Sequence, residues 1–258
     1  REKWEKWGRV ESGRVRGLRT VVTVQGQLGL EGIPDKLVRV TPARLGTWER
    51  CPRKYRMMYL DRPSPSKGGP WAHSTLGAVV HNALRALLES SPERRTPERA
   101  VTLLHRYWTS DGFADAEQAA RYRRRAERWI TDYAAELDER TRPIALERWV
   151  SGSAGTIIAE GRVDRIDQLG DELVVIDYKT GRHTPSTSDA ANSLPLALYA
   201  LAVRKTFRAV CRRVELHHVP SGRILSWEHT EDSLREHREA AERLAAEIQQ
   251  ATDALADG

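Results

Sequence analysis

Residues 160–181, EGRVDRIDQLGDELVVIDYKTG, constrain the chain more than any other segment, because one hairpin drawn through them brings two carboxylates and a lysine together. Gly170-Asp171 reads as a two-residue turn of the kind favoured by glycine at its first central position, and such a turn fixes the register of both strands. Asp164 then lies opposite Asp177. Alternation puts Arg162, Asp164 and Ile166 on one face with Leu173, Val175, Asp177 and Lys179. Directly opposed β-carbons are about 5 Å apart, where like charges destabilise a sheet. The pair therefore calls for a cation. Mg²⁺ suits it, since that ion typically takes one or two carboxylates together with substrate phosphate oxygens. The alternative is a solvated hairpin whose charges decorate an outer face. Against that stands the run Leu173-Val174-Val175-Ile176 just before Asp177, which is typical of a strand buried on both faces.

A histidine stands upstream on a second apolar pattern. Leu76, Val79, Val80, Ala83, Leu84, Leu87 and Leu88 recur at helical spacing and define one stripe. His81 falls at its border, and Gly77, one turn earlier, leaves room for another group beside the ring. Alone, such a histidine is more often a partly buried packing residue than a ligand. Beside the opposed aspartates, the ligand reading is the better one.

These segments resemble the PD-(D/E)XK nucleases, and among them the RecB-like exonucleases. The resemblance is carried by Asp164 in GRVDRID, by Asp177-Tyr178-Lys179 with the Thr-Gly that follows, and by Gly77-x-x-x-His81. It also includes the helix opening at Thr41-Pro42 that leads into Cys51-Pro52-Arg53-Lys54-Tyr55. The resemblance implies an α/β fold with a restriction-endonuclease-like core. A central mixed β-sheet would be flanked by helices, with a helical insertion and a C-terminal helix added. Residues 39–258 would form this single nuclease domain, and residues 1–38 an N-terminal extension of unknown role. The family's helix after Asp-x-Lys carries a glutamine four residues before a tyrosine. Here Tyr199 is present and the glutamine position is Pro195, so the helix should open near Ser193, where proline is tolerated, or kink there. Tyr199 reads equally as a core aromatic beside Leu196 and Val203 or as a DNA contact.

The resemblance implies a site in which Asp164, Asp177, His81 and the backbone carbonyl of Tyr178 hold one or two Mg²⁺ or Mn²⁺ ions. Lys179 would orient the attacking water or offset phosphate charge. Glu147 and Glu160 are weaker candidates for outer or second-metal roles. Some relatives hold an iron-sulfur cluster on four cysteines, but this chain has only Cys51 and Cys211. Two thiols cannot supply four ligands, so no cluster is expected. Structural zinc and a disulfide framework are equally unexpected, and the cysteine usage suits a reducing cytoplasm.

The remaining pattern fits a nucleic-acid enzyme. The net charge is +6 and the pI near 9.5, a balance that attracts polyanions. No apolar stretch is long enough to cross a bilayer, and no signal-peptide core opens the sequence. Thr96-Pro97-Glu98 opens a helix through Trp108, and a second runs from about Asp115 to Arg140. In the latter, Arg124 and four neighbouring arginines interleave with Tyr122 and Trp129. They read either as a track for one DNA strand or as a solvated face above a core. Arg53 and Lys54 beside Tyr55 allow the same two readings. Strands are expected at 213–219 and 223–228 around a Pro220-Ser221-Gly222 turn, with His217 and His218 as ordinary strand residues. Leu234, Ala241, Leu244, Ala245 and Ile248 mark a C-terminal helix. Within residues 1–38, TVVTVQGQLGLEG has the look of a short hairpin.

The expected substrate is DNA, as single strands or ends, and the expected setting is repair or recombination. The chain lacks a G-x-x-x-x-G-K-[ST] loop, so unwinding would need a separate helicase subunit. Two other readings remain open: a catalytically weak DNA-binding module or subunit of a helicase-nuclease complex, and a structural domain that meets a protein partner. The four groups Asp164, Asp177, Lys179 and His81 favour the nuclease.

Overall fold

The computed structural model describes residues 37–63, 68–138 and 141–256, and the hairpin expected within residues 20–32 lies outside them. Strand β1 (Val38–Val40) leads into α1 (Pro42–Arg50). The helix starts there because Thr41 Oγ1 accepts from Arg44 N, while Pro42, with no N–H to lose, takes the first turn. Cys51 ends α1 in extended backbone, and its Sγ accepts from Lys54 N to open α2 (Pro52–Tyr55). A π-helical turn over Arg56–Leu60 follows.

Helix α3 (Ala72–Leu88) buries the stripe from Leu76 to Leu88 that its spacing predicts. Helices α4 (Pro97–Tyr107) and α5 (Ala116–Ala135) form the insertion, capped by Thr96 and Asp115, whose side chains accept from Arg99 N and Gln118 N. α5 stops short of Arg140. The chain must be extended by Pro143, and the residue before a proline is disfavoured in helical backbone.

Five more strands and three helices complete the described residues. They are β2 (Pro143–Ala154), β3 (Ile157–Leu169), β4 (Glu172–Lys179), α6 (Thr187–Ala191), α7 (Leu194–Phe207), β5 (Val210–His218), β6 (Arg223–Glu228) and α8 (Glu231–Ala256). Ser193 caps α7 by accepting from Leu196 N, with Pro195 inside the first turn, so the proline opens the helix without a kink. No described helix is long and apolar enough to cross a membrane.

β3 organises a six-stranded mixed sheet. β2 runs antiparallel along it, β1 pairs parallel with its start, and β4 pairs antiparallel with its end. β5 then lies parallel to β4, and β6 antiparallel to β5. The β3–β4 register runs from Leu169↔Glu172 to Arg165↔Ile176, as the two-residue turn requires. Gly170 has φ 58°, the left-handed value such a turn needs at its first position.

β4 is buried on both faces. Leu173 and Val175 pack with α7 and α8, whereas Val174, Ile176 and Tyr178 pack with α3, α4 and α5. The regular alternation expected of β3 does not persist through Asp164. Val163 and Ile166 enter the same α7 core, while Arg165 turns to the other face and donates to Tyr133 Oη. The shared face expected for Arg162, Asp164 and Ile166 is therefore broken. The cause is a joint kink in β2 and β3: the pairs Leu146↔Arg165 and Arg148↔Val163 are kept, and Glu147 between them has φ 48°. Irregularities of this sort re-aim side chains without costing register.

Two measurements test this packing. A Cβ on Gly161 would lie 2.7 Å from Tyr199 Cε1, so the ring must move. Gly161→Ala should lower unfolding stability in urea by about 1–3 kcal/mol, as overpacking typically does. Cys51 is exposed, whereas Cys211 is buried and its thiol is pushed up to about 12, chiefly by that burial. A disulfide reagent at neutral pH should modify one thiol per native chain and both only after denaturation.

Candidate active site

The β3–β4 ladder stops at Arg165↔Ile176, and a side chain takes over where it ends. Asp164 Oδ2 accepts from Tyr178 N at 2.9 Å. One carboxylate thus holds the Asp177-Tyr178-Lys179 backbone in place while its other oxygen stays available. That oxygen, Oδ1, lies 3.4 Å from His81 Nδ1 of α3, and Glu147 Oε1 of β2 lies 3.9 Å from the same nitrogen.

The other ring nitrogen decides what Nδ1 can do. His81 Nε2 lies 3.2 Å from the Tyr178 carbonyl oxygen, which can only accept, so Nε2 carries the proton. In a neutral ring Nδ1 is then a lone pair facing two carboxylates, an arrangement that only a further proton or a metal cation relieves. Burial opposes a second proton on His81, but hydrogen bonding and charge from Asp164, with Asp177 and Glu147, outweigh it and raise the pKa. A histidine that donates one N–H to a carbonyl while its other nitrogen faces carboxylates is oriented as metal-binding histidines commonly are. The Tyr178 carbonyl, read from the sequence as a ligand, is engaged by His81.

The donor atoms converge. One atom each from His81, Glu147 and Asp164 lies within 4.8 Å of the others. Carboxylate oxygens with one imidazole suit Mg²⁺ or Mn²⁺, so the chemistry of the set fits the divalent ions that this chain's motif implies. Asp177, on the neighbouring strand, is pushed above its ordinary range by burial; Lys179 opposes the shift and Asp164 adds to it. Lys179 Nζ lies 2.6 Å from Asp177 Oδ2, as expected of residues two apart on one strand.

Glu147 stands further forward than its sequence reading allowed. Its own carboxyl is raised by burial and by Asp164, and its Oε2 lies 2.9 Å from Arg162 Nε. The missing signal was β2: once that strand pairs with β3, Glu147 falls level with Asp164. Its left-handed backbone costs on the order of 1–3 kcal/mol, a strain that recurs at functional sites. Glu160 does not join the cluster and pairs instead with Arg39 at 2.8 Å.

Other residues frame the site. Tyr199 approaches from α7, and burial together with the charges of Asp177 and Asp164 pushes its hydroxyl up to about 12, so it remains a donor. The space beside Gly77 belongs to Thr180, whose Oγ1 would lie 3.2 Å from a Cβ there; the glycine lets α3 close on the loop after Lys179. His217 and His218 are more than ordinary strand residues. His218 Nε2 lies 2.9 Å from the Gly181 carbonyl and its Nδ1 2.7 Å from Ser221 Oγ, pinning that same loop. His217 links Tyr133 and Glu215 in a buried chain, with 2.8 Å to each.

The basic residues divide. Arg124 points to solvent. Its neighbour Arg125 lies over Tyr122 and Trp129, 5.4 and 5.3 Å from the ring centroids, and lines a cavity of about 930 Å³ that Lys179 also borders. Arg53 lines a different groove, against Ala251, Ala254 and Leu255 of α8, and Lys54 is exposed on α2. Neither borders the cavity beside Lys179.

Comparison with curated proteins gives no match. Among solved structures, an exonuclease by assignment from Eubacterium rectale is similar, with a TM-score of 0.48 at 12% identity over 83% of this chain and 81% of that one. The six-stranded mixed sheet between helical layers is of the restriction-endonuclease-like kind. The sequence model of the PD-(D/E)XK nuclease superfamily matches residues 39–258, and with most of its length covered the chain belongs to that superfamily.

Proposed function

We propose that the chain is a Mg²⁺- or Mn²⁺-dependent deoxyribonuclease of the RecB-like type, acting as an exonuclease in DNA repair or recombination. One observation carries this reading: His81, Glu147 and Asp164 bring donor atoms within 4.8 Å of one another beside Asp177 and Lys179. The RecB-like assignment rests on the resemblance of the Gly77-x-x-x-His81 and Cys51-Pro52-x-x-Tyr55 elements. The nuclease domain is residues 39–258, with 1–38 as an extension.

Asp164, Asp177, Glu147 and His81 would hold the cation. Bound there, it would polarise the scissile phosphate and lower the pKa of the attacking water. Lys179 supplies an ammonium at the mouth of the site, where it donates to the water or to phosphate oxygens as charge builds. Asp177 orients that ammonium. Tyr199, held protonated, donates from the opposite face. His81 stays fixed through its bond to the Tyr178 carbonyl, so the ligand side of the ring is preset.

The test is cleavage of end-labelled linear single- and double-stranded DNA beside a closed circle, with Mg²⁺ or Mn²⁺. Wild type should degrade the linear forms and spare the circle. Asp177→Ala and Lys179→Ala should each lose at least about 100-fold in rate, the usual cost of removing a group that meets developing charge. Salt-sensitive binding without hydrolysis by wild type would replace this reading with the DNA-binding module. Glu147→Gln separates a ligand from a bystander. It should raise the Mg²⁺ concentration for half-maximal cleavage by about 10- to 100-fold with the fold intact by circular dichroism. An unchanged metal requirement would remove Glu147 from the site.

A further inference from the structure

The cavity of about 930 Å³ that borders Lys179 is walled on one side by the loop after β4 and on the other by the insertion helix α5. Its lining is unusual for a surface cleft next to a cluster of carboxylates. Five aromatic residues, Trp71, Phe113, Tyr122, Trp129 and Tyr178, stand with Arg125 and Arg182, and among the described residues no carboxylate lines it. Trp71 is 74% exposed, a large apolar surface left in water at the rim. Arg125 lies over both Tyr122 and Trp129 and keeps its cation on the ring faces.

The walls are built to hold this shape. Gly112 has φ 80°, and a Cβ there would meet Pro70 O at 2.2 Å, so only glycine lets the segment before α5 close on the segment before α3. Thr75 Oγ1, in the first turn of α3, donates to Asp111 O at 2.7 Å and ties that helix to the segment before α5. Phe113 is then wedged between Trp108 and Tyr122, at 5.7 and 5.5 Å between centroids. Trp71 and Phe113 are thus brought to one cleft by a preformed contact.

We propose that this cleft receives unpaired bases of single-stranded DNA and feeds the adjoining backbone to Lys179 and the carboxylate cluster. This rests on the nuclease reading above and specifies its substrate. Bases in a duplex are stacked on each other, so ring faces in a cleft wall reach only bases that are unpaired. Arginines without competing carboxylates attract the backbone that carries them. Lys179 belongs both to this cleft and to the candidate site, so a strand seated here runs directly toward the carboxylate cluster. The insertion α4–α5 selects the strand, and the sheet supplies the chemistry.

The experiment measures binding of the full chain, carrying Asp177→Ala so that no DNA is consumed, to a fluorescein-labelled oligo(dT) and to a blunt hairpin duplex of equal length. Trp71→Ala, an exposed position that folding should tolerate, should weaken oligo(dT) binding at least about fivefold, as loss of a base-stacking ring does, and leave duplex binding unchanged. Trp129→Ala should do the same, and Trp129→Phe should restore most of the affinity. Equal losses on both DNAs, or none on either, would overturn the proposal. Tighter binding of oligo(rU) than of oligo(dT) would overturn its assignment to DNA. The two readings fail separately. Wild type that cleaves single strands while Trp71→Ala binds and cleaves them equally well refutes the cleft alone. Oligo(dT) binding that depends on Trp71, with no cleavage by wild type, refutes the nuclease alone.

Discussion

The bond from Tyr178 N to Asp164 Oδ2 is the contact on which the candidate site depends. It forms where the β3–β4 ladder ends, and it replaces a backbone acceptor with a carboxylate. A buried N–H must find a partner, and a charged acceptor is the stronger kind. By meeting that need, Asp164 links the middle of β3 to the end of β4 that carries Lys179. Its other oxygen is thereby directed at His81.

The rest of the site follows from how β2 and β3 deform together. Arg165 leaves the α7 face to reach Asp167 and the Tyr133 hydroxyl, and its guanidinium is buried. Buried charge is tolerated only when it is paired, and both partners are present. The same kink brings Glu147 level with Asp164 and gives it a left-handed backbone. Three adjacent strands therefore deliver acidic groups to one level of the sheet, and α3 adds an imidazole from one side while Tyr199 closes the other. The charge so gathered is offset only in part by Lys179 and Arg162. That imbalance is what makes a divalent cation the fitting occupant.

Much of this was legible before the fold. The Gly170-Asp171 turn has a local cause, so the β3–β4 register could be read from two residues. The stripe on α3 and the caps Thr41, Thr96 and Ser193 are also local, since each depends on residues within a turn of one another. The motif residues Asp164, Asp177, Lys179 and His81 were visible as types at spacings. Glu147 was visible only as an isolated acid, because β2 mixes polar and apolar residues and gives no clean alternation. Arg124 and Arg125 could not be told apart, since helical spacing sets a stripe but not which neighbour lies over an aromatic ring.

What the sequence determined by itself was therefore a set of elements and the chemistry that some of them bear: a hairpin of known register, an amphipathic helix with a border histidine, and a proline that either begins or kinks α7. What only the tertiary structure decided was which groups meet. The approach of His81 to Asp164, the level of Glu147, the closure of Thr180 on Gly77 and the joining of Trp71 to Phe113 all link segments far apart in the chain. Such contacts depend on how helices seat on a twisted sheet, and that seating is set by the packing of two whole cores rather than by any local preference.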